Sequence, residues 1–479
     1  MQARIKRNVF FISSLITPHN TMDTTRFFPN PLAPLDGSDG HLVGSYQLVR
    51  PLTTAPECSQ VANELLDRCQ RHSDPSDYGS FYVGYLGVAY LEWRLSLLQQ
   101  RLSNERDEEN AAAAENAATA TAAAALADHL FHQALRTVDR AIAAAEAEAN
   151  RNVKKLLRRV TLLEGPYVGA QALRIVLSLH SSSTGSTRVS DTERKERALK
   201  QAHDLIQKLE HHCHNTLPPG ECDVLYGRAG VLQAIFFLRQ ALNEPNLETK
   251  AVQTIASQII EEGLLYAASR DVGMPLLWEW HESQYLGAAH GVTGILYTLL
   301  TLNEAERQQM DQRYKLSTHI KQVIHNLEIF CFPSGNLDSS IRSFPPHHRG
   351  TDRLVQWCHG APGHVLLLVK AAEVLDEPLY LERAKRIADH VIWPRGLLRK
   401  GVGLCHGIAG NAYAFLALAK HDASFIAKAR YFADFGLRSL RELEHVPDRP
   451  YSLFEGLGGL CALVIDLADP NSAVFPLFY

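Results

Sequence analysis

The chain has 479 residues, 46% of them hydrophobic and 21% charged, with a formal net charge of −4. This composition is typical of a globular protein with a large core, and the slight acidic excess without a long basic run excludes a nucleic-acid partner. No apolar run approaches the ~20 residues of a transmembrane helix, and eight scattered cysteines indicate a reducing, cytoplasmic location.

Residues 1–23 are predicted to be an N-terminal extension, followed by a single domain over residues 24–479. The extension carries basic residues at positions 4, 6 and 7 and no acidic residue before Asp23, as some targeting segments do. It also contains a second methionine, Met22, close to its end. We therefore expect residues 1–23 to be disordered or to reflect a mis-assigned start.

A Gly-x-x-Gly motif, or a close variant, occurs seven times, each time ahead of an apolar helical stretch. Amphipathic segments such as Arg197–Leu209 and Ala251–Leu265 precede the motifs, and β-rich runs are almost absent. One unit is therefore an outer helix, a connection, the motif and an inner helix. Seven such hairpins predict an all-α fold, either an open solenoid or a closed ring. The motifs begin at Gly84, Gly165, Gly227, Gly291, Gly360, Gly407 and Gly456.

Three segments interrupt this pattern. Residues 104–127 form a low-complexity, Ala-rich insertion without a large apolar face, and we expect a solvated helix or disorder there. Residues 181–196 are predicted to be a polar loop. Residues 331–353 form a loop long enough to have a functional role.

The tripeptide Cys-His-Gly occurs twice, at matching positions of two consecutive motifs. Cys358, Cys405 and His406 are candidate ligands for one Zn²⁺ ion, because thiolate and imidazole suit this metal. Three protein ligands would leave an open fourth position, which is typical of catalytic zinc. The alternative is a pair of buried thiols with polar histidines at helix ends.

Other polar residues lie at the starts of the predicted inner helices. His290 occupies the place of the two Cys-His-Gly histidines in the preceding copy, where it could transfer protons near neutral pH. His359 is a candidate for a supporting or substrate-facing role, and Asp223 lies four residues before Gly227. Lys400, close to Cys405, could bind an anionic substrate.

Several of these motifs together resemble the eukaryotic LanC-like proteins, relatives of the bacterial lanthionine cyclases. The resemblance begins near residue 24 and covers nearly all of the remaining chain. It rests on Arg26-Phe-Phe-Pro-Asn-Pro31, Leu225-Tyr-Gly-Arg228, Ala288-Ala-His-Gly291, Ser334-Gly-Asn336, Trp357-Cys-His-Gly-Ala-Pro-Gly363, Gly403-Leu-Cys-His-Gly-Ile-Ala-Gly410 and Ser452-Leu-Phe-Glu-Gly456.

This resemblance implies a closed (α/α)7 toroid, with seven inner and seven outer helices and one zinc ion at one end. It makes Cys358, Cys405 and His406 the zinc ligands and His290, Asp223 and His359 the catalytic residues. The resemblance also implies that glutathione is the co-substrate, and His445 stands where the family usually has Arg. The implied contacts to glutathione are Arg26, Lys400, His445, Val446, Pro447 and Asp448.

The implied reaction is zinc-dependent addition of the glutathione thiolate to dehydroalanine or dehydrobutyrine in formerly phosphorylated proteins. The protein would be cytoplasmic, with peripheral association at the plasma membrane. One alternative is a non-catalytic glutathione- and zinc-binding scaffold or signalling protein. A glycoside-processing toroid would need two carboxylates, and Glu164 and Glu455 are the acids that directly precede a Gly motif. A prenyl-transfer enzyme would need a diphosphate-binding basic cluster, which the chain lacks.

Overall fold

The computed structural model describes residues 25–32, 52–74, 79–109, 114–156, 159–180, 190–342 and 351–479. The predicted extension over residues 1–23 lies outside these ranges. Within them, no helix is both long enough and apolar enough to cross a bilayer.

The described residues are overwhelmingly helical. Their helices are α1 Ala55–His72, α2 Leu86–Glu109, α3 Ala114–Leu156, α4 Pro166–His180, α5 Asp191–Asn215, α6 Arg228–Leu242, α7 Thr249–Ala268, α8 Val292–Leu300, α9 Glu304–Tyr314, α10 Leu316–Asn326, α11 Ala361–Leu375, α12 Pro378–Ile387, α13 Trp393–Arg395, α14 Ile408–Ala419, α15 Ser424–Arg438, α16 Leu440–Leu443 and α17 Leu457–Asp466. A 3₁₀ turn spans Leu327–Phe330, a π turn spans Ala388–Ile392, and strands β1 Gln284–Tyr285 and β2 Ser340–Ile341 pair antiparallel.

Seven of the described helices form a closed inner ring, each beginning at or beside a Gly motif. In chain order, α2, α4, α6, α8, α11, α14 and α17 each contact the next, and α17 returns to contact α2. The outer layer consists of α1, α3, α5, α7, the α9–α10 pair, the α12–α13 segment and α15, and α1 packs on α17. The fold is the predicted all-α (α/α)7 toroid, closed rather than an open solenoid.

The inner helices are apolar on nearly every face because other elements cover them all round. All nine residues of α8, for example, are buried, and none of them is charged. The bore is filled from the end opposite the Gly motifs by residues 474–479. Here Phe478 stacks on Tyr297 at 4.2 Å between ring centroids, and Phe475 stacks on Trp357 at 5.1 Å.

Two predicted irregular segments differ in part from expectation. The 104–127 tract is helical on both sides of residues 110–113, which lie outside the described ranges. It is solvated on one face only, since Ala120, Ala123 and Ala127 are buried while the neighbouring positions 121, 122, 124 and 125 are exposed. Alanine has too small a side chain to show an apolar stripe, yet it lets α3 approach α2 closely. The predicted loop over 181–196 is wrong from residue 191 onward, because Ser190 and Glu193 form a capping box that starts α5. Residues 181–189 lie outside the described ranges.

Candidate functional site

The seven Gly motifs meet at one end of the ring, and main-chain hydrogen bonds join consecutive copies there. In copies five, six, seven and one, the residue two positions before the first glycine donates its N–H to the carbonyl of its counterpart in the next copy. These bonds run from Cys358 to Cys405 (3.3 Å), Cys405 to Phe454 (2.7 Å), Phe454 to Tyr82 (3.1 Å) and Tyr82 to Leu163 (3.1 Å). Equivalent positions in the sequence are therefore direct neighbours in space, and the two cysteines are brought together by the repeat itself.

Cys358, Cys405 and His406 form the predicted cluster. Their ligand atoms all lie within 4.8 Å of one another, and both cysteines are buried. Around a tetrahedral zinc ion with bonds of about 2.0–2.3 Å, donor atoms are separated by roughly 3.3–3.8 Å. The observed spacing therefore fits such an ion with small adjustments of the side chains, and the donor set of two thiols and one imidazole suits it chemically.

The surroundings shift the pKa values of the two thiols in opposite directions. A hydrogen bond from Cys405, aided by His406, lowers the pKa of Cys358, and Gln356 Nε2 donates to its Sγ at 3.2 Å. Burial raises the pKa of Cys405, whose thiol also interacts with the Tyr82 hydroxyl. Tyr82 was not among the predicted residues, although it holds the same motif position in copy one as the cysteines in copies five and six.

The loop before Cys358 is fixed by a polar network. Gly360 has φ of +104°, a conformation that side chains disfavour, and the N–H of the next residue, Ala361, donates to Asn336 Oδ1 at 2.8 Å. Asn336 Nδ2 in turn donates to Asp352 at 2.9 Å, and Asp352 accepts from Arg395 at 2.8 Å. The 331–353 segment, predicted to be functional, thus positions a candidate ligand.

His290 lies at the same end of the ring and is held on two sides. Its Nδ1 lies 2.6 Å from Oδ2 of buried Asp223, so that its Nε2 is the ring nitrogen left for another partner. The indole of Trp280 stacks on the imidazole, with 3.8 Å between centroids and 8° between planes. Asp223 is itself fixed by accepting the N–H of Tyr226 at 3.1 Å. This arrangement suits a proton-transfer group.

His359 does not join the three-residue metal cluster. Its ring lies 5.7 Å from that of Tyr285, which is 6.0 Å from the ring of His290. Its Nδ1 is buried without a hydrogen-bond partner among the described residues. His359 therefore lies on the side of the His290 group, as expected for a supporting or substrate-facing residue.

The residue directly before each first glycine belongs to the same end of the ring. This residue is a histidine in copies four, five and six (His290, His359 and His406) and a glutamate in copies two and seven (Glu164 and Glu455). Burial raises the pKa of Glu164 to about 7, and this carboxyl interacts electrostatically with Glu455 and His290. Sequence reasoning used the two acids only to argue against a glycosidase, but their motif position was sufficient to place them here.

The segments expected to bind glutathione converge only in part. Residues 26–28 run alongside residues 397–399, and the Arg399 N–H donates to Arg26 O at 3.0 Å. The backbone of Arg26 therefore lies close to that of the residue before Lys400. A Cβ added to Gly401 would lie 3.4 Å from Pro447, so the 445–448 segment also reaches this place.

The flanks of that segment point to a different surface. The ring of His445 is 6.1 Å from that of Tyr451, Val446 is 49% exposed, and Asp448 lines a separate shallow cavity beside Tyr451. Of the four residues expected here, Pro447 is the one whose contact with the Lys400 loop is defined.

Comparisons with known proteins agree with this architecture. The family model described as lanthionine synthetase C-like protein matches residues 116–479, about three quarters of the chain. The curated relatives include "Glutathione S-transferase LANCL1" of Danio rerio, 38% identical over 260 residues that cover 53% of this chain and 61% of that protein. They also include "LanC-like protein GCL1" of Arabidopsis thaliana, 35% identical over 260 residues, covering 53% and 57%.

The matched region thus spans about three fifths of the length of these curated relatives. Among solved structures, nisin cyclase superposes with a TM-score of 0.50 over 86% of this chain and 93% of its own. Its sequence is 14% identical, so this likeness supports the toroidal fold alone.

Proposed function

This chain belongs to the lanthionine synthetase C-like family, and from that membership and its site we propose a zinc-dependent glutathione transferase. The proposed reaction adds the glutathione thiol to dehydroalanine or dehydrobutyrine residues of proteins. The observation that carries the proposal is the Cys358–Cys405–His406 cluster at the same ring end as the Asp223–His290 pair. The name of the Danio rerio relative, a glutathione S-transferase, supports the choice of glutathione.

Cys358, Cys405 and His406 would hold one zinc ion. When bound there, zinc lowers the pKa of a thiol ligand, so that a thiolate is available at neutral pH. Gln356 and Tyr82 would orient the two cysteines. Their burial keeps bulk water from the donor atoms.

His290 would complete the addition by supplying a proton. The glutathione sulfur forms a bond to Cβ of the dehydroamino acid, the alkene electron pair moves to the Cα side, and His290 Nε2 delivers the proton to Cα. Asp223 holds Nδ1 at 2.6 Å and stabilises the charged ring before transfer. Stacked Trp280 fixes the ring plane and shields it from water.

Arg26 and Lys400 would bind the carboxylates of glutathione by charge-assisted hydrogen bonds. The pairing of residues 26–28 with residues 397–399 supports this joint role, because it brings the backbone of Arg26 close to that of the Lys400 loop. His445 is exposed and offers a weaker anion ligand than the Arg of the family. We also propose a cytoplasmic location, since all eight cysteines are free thiols.

The direct test is incubation of the zinc-loaded protein with glutathione and a dehydrobutyrine peptide, read by mass spectrometry. A mass increase of one glutathione is expected. Cys405→Ala should lose both zinc and addition, whereas His290→Ala should keep zinc and slow addition by about 10²–10⁴-fold.

Each outcome has a clear meaning. Full zinc occupancy in Cys405→Ala would refute the ligand assignment, and unchanged turnover in His290→Ala would remove that residue from the mechanism. A wild-type protein that binds zinc and glutathione but leaves the peptide unmodified would instead be a scaffold.

A further inference from the structure

The aromatic side chains around His290 form a half-exposed face beside the proposed reaction site. Tyr226 and Trp280 are nearly parallel, with 5° between their planes and 5.8 Å between centroids, and Tyr226 is also parallel to the His290 ring within 6°. Tyr285 completes the group, at 6.0 Å from both Trp280 and His290. Tyr226, Trp280 and Tyr285 are neither fully buried nor fully exposed, so part of this face can be reached by a ligand.

Glu221 is a half-buried carboxylate next to these rings. Burial and the charge of Asp223 raise its pKa above the ordinary value, while His281, Arg228 and His290 act in the opposite direction. Its carboxylate therefore lies within electrostatic reach of the imidazole that is proposed to transfer the proton. Neither the zinc cluster nor the Asp223–His290 pair needs this acid.

Two guanidinium groups lie on this side of the site, and each has a carboxylate of its own. Arg228 Nη1 donates to the main-chain carbonyl of Glu221 at 3.2 Å and lies 3.4 Å from Glu262, and Arg159 lies 3.6 Å from Glu164. The Glu221 carboxylate forms no ion pair with any residue that the structure describes. A carboxylate that is half removed from water without a cation is a candidate for binding one from a ligand.

The site is therefore acidic on one side and basic on the other. Asp223 is held by His290 Nδ1 at 2.6 Å, which leaves the charge of Glu221 uncompensated in copies three and four. Arg26 and Lys400, the cations expected to bind glutathione, are associated instead with the connection that precedes copy six. Such a separation favours an anionic thiol donor on one side and a cationic partner on the other.

From this combination we infer that Glu221 is a specificity-determining residue that binds a lysine or arginine side chain of the protein substrate, near the dehydroamino acid. This inference rests on the proposed function, because it concerns the peptide brought to His290. Aromatic faces attract such cations, and the carboxylate adds a charge-assisted hydrogen bond. A metal ion would need further ligands, and among the described residues Glu221 belongs to no group of three metal-binding side chains. Since an extended chain spans about 3.5 Å per residue, the basic residue should lie within about three positions of the dehydroamino acid.

Peptide binding and peptide modification by the full chain test the inference. The peptides carry Arg, Gln or Glu two positions before the reactive residue in one set and two positions after it in another. Fluorescence anisotropy measures binding of versions with threonine at the reactive position, and mass spectrometry measures glutathione addition to versions with dehydrobutyrine. In at least one set the Arg peptide should bind about tenfold tighter than the Gln peptide and react with a correspondingly higher kcat/KM, and the Glu peptide should be the poorest.

Variants assign this preference to the residue. Glu221→Gln should weaken binding of the Arg peptide by about tenfold and leave that of the Gln peptide within about twofold of the wild type. Tyr226→Leu removes part of the aromatic face and should also reduce the preference for Arg, which guards against misfolding of the first variant. Glu304→Gln, at an exposed carboxyl that begins α9, is the matched control and should keep the full preference. Circular dichroism and the melting temperature report whether each variant is folded.

The two readouts separate this inference from the proposed function. Equal binding of the Arg and Gln peptides by the wild type, or an Arg preference that persists in folded Glu221→Gln, would overturn the role of Glu221, even where glutathione is added to every peptide. An Arg preference that depends on Glu221, without addition to any peptide, would support the recognition of basic residues and refute the thiol-addition reaction. Absence of both binding preference and addition would refute both.

Discussion

Glu92 provides a stability test of the packing between inner and outer rings. This residue of α2 is fully buried; its Oε1 accepts a hydrogen bond from Gln70 at 2.9 Å, and its Oε2 has no partner among the described residues. Burial raises its pKa from an ordinary 4.5 to about 8. The folded protein therefore keeps a proton that the unfolded chain loses between pH 4.5 and 8, so stability should fall as pH rises through this window.

The size of the effect follows from that shift. At pH 8 a difference of this order corresponds to at most about 4 kcal/mol, and relaxation of the surroundings brings the expected value to about 2–4 kcal/mol. Glu92→Gln imitates the protonated carboxyl and can still accept from Gln70. It should leave stability nearly unchanged at pH 5 and raise it by this amount at pH 8.5. With an unfolding entropy of about 2.1 cal/mol/K per residue, the melting temperature should rise by roughly 2–4 °C.

The assay is a thermal melt of wild type and variant at half-unit steps from pH 5 to pH 8.5. Glu64→Gln, at an exposed carboxyl of the neighbouring α1, is the matched control and should follow the wild type at every pH. If the difference between Glu92→Gln and wild type is constant across the range, Glu92 does not titrate in this window and the reasoning fails.

Two further predictions concern the candidate site. Asn336→Ala removes the acceptor of the Ala361 N–H and should cost about 1–3 kcal/mol in stability and weaken zinc binding, measured by melting and by chelator competition. Unaltered zinc affinity would show that the Cys358 loop is held without Asn336. Glu164→Gln removes a negative charge that forms above about pH 7 near His290. The alkaline limb of the pH–rate profile for thiol addition should move to lower pH by roughly half a unit, and a superimposable profile would contradict this.

The sequence was sufficient to predict the inner ring, because each inner helix starts at a recurring motif whose glycines are structurally required. At Gly410, for example, a Cβ would lie 1.8 Å from the carbonyl oxygen of Leu404. Closure of the ring depends on contact between α17 and α2, which are far apart in the chain, and motif spacing carries no information about it. That part of the fold came from the family resemblance.

The failures of sequence reasoning have local causes. The start of α5 was available in Ser190-Asp-Thr-Glu193, a capping box that the surrounding polar residues obscured. The residue type of Tyr82 does not mark it as a neighbour of a metal cluster, whereas its motif position, shared with Cys358 and Cys405, does. Contacts of His445 and Asp448 depend on loop conformation, which a single sequence does not determine, and their place in a glutathione site stays a prediction.

The two Cys-His-Gly copies are identical in sequence but contribute unequally, and the ring geometry explains why. The Cys358 N–H donates to the Cys405 carbonyl, so the two thiols face each other between copies five and six. The imidazole that follows Cys405 lies with this pair, whereas the imidazole that follows Cys358 lies toward Tyr285 and copy four. A metal site in this ring would therefore form between copies, not within one. It would need cysteines in two adjacent copies and one histidine, and these three protein donors would leave one position for the proposed thiol.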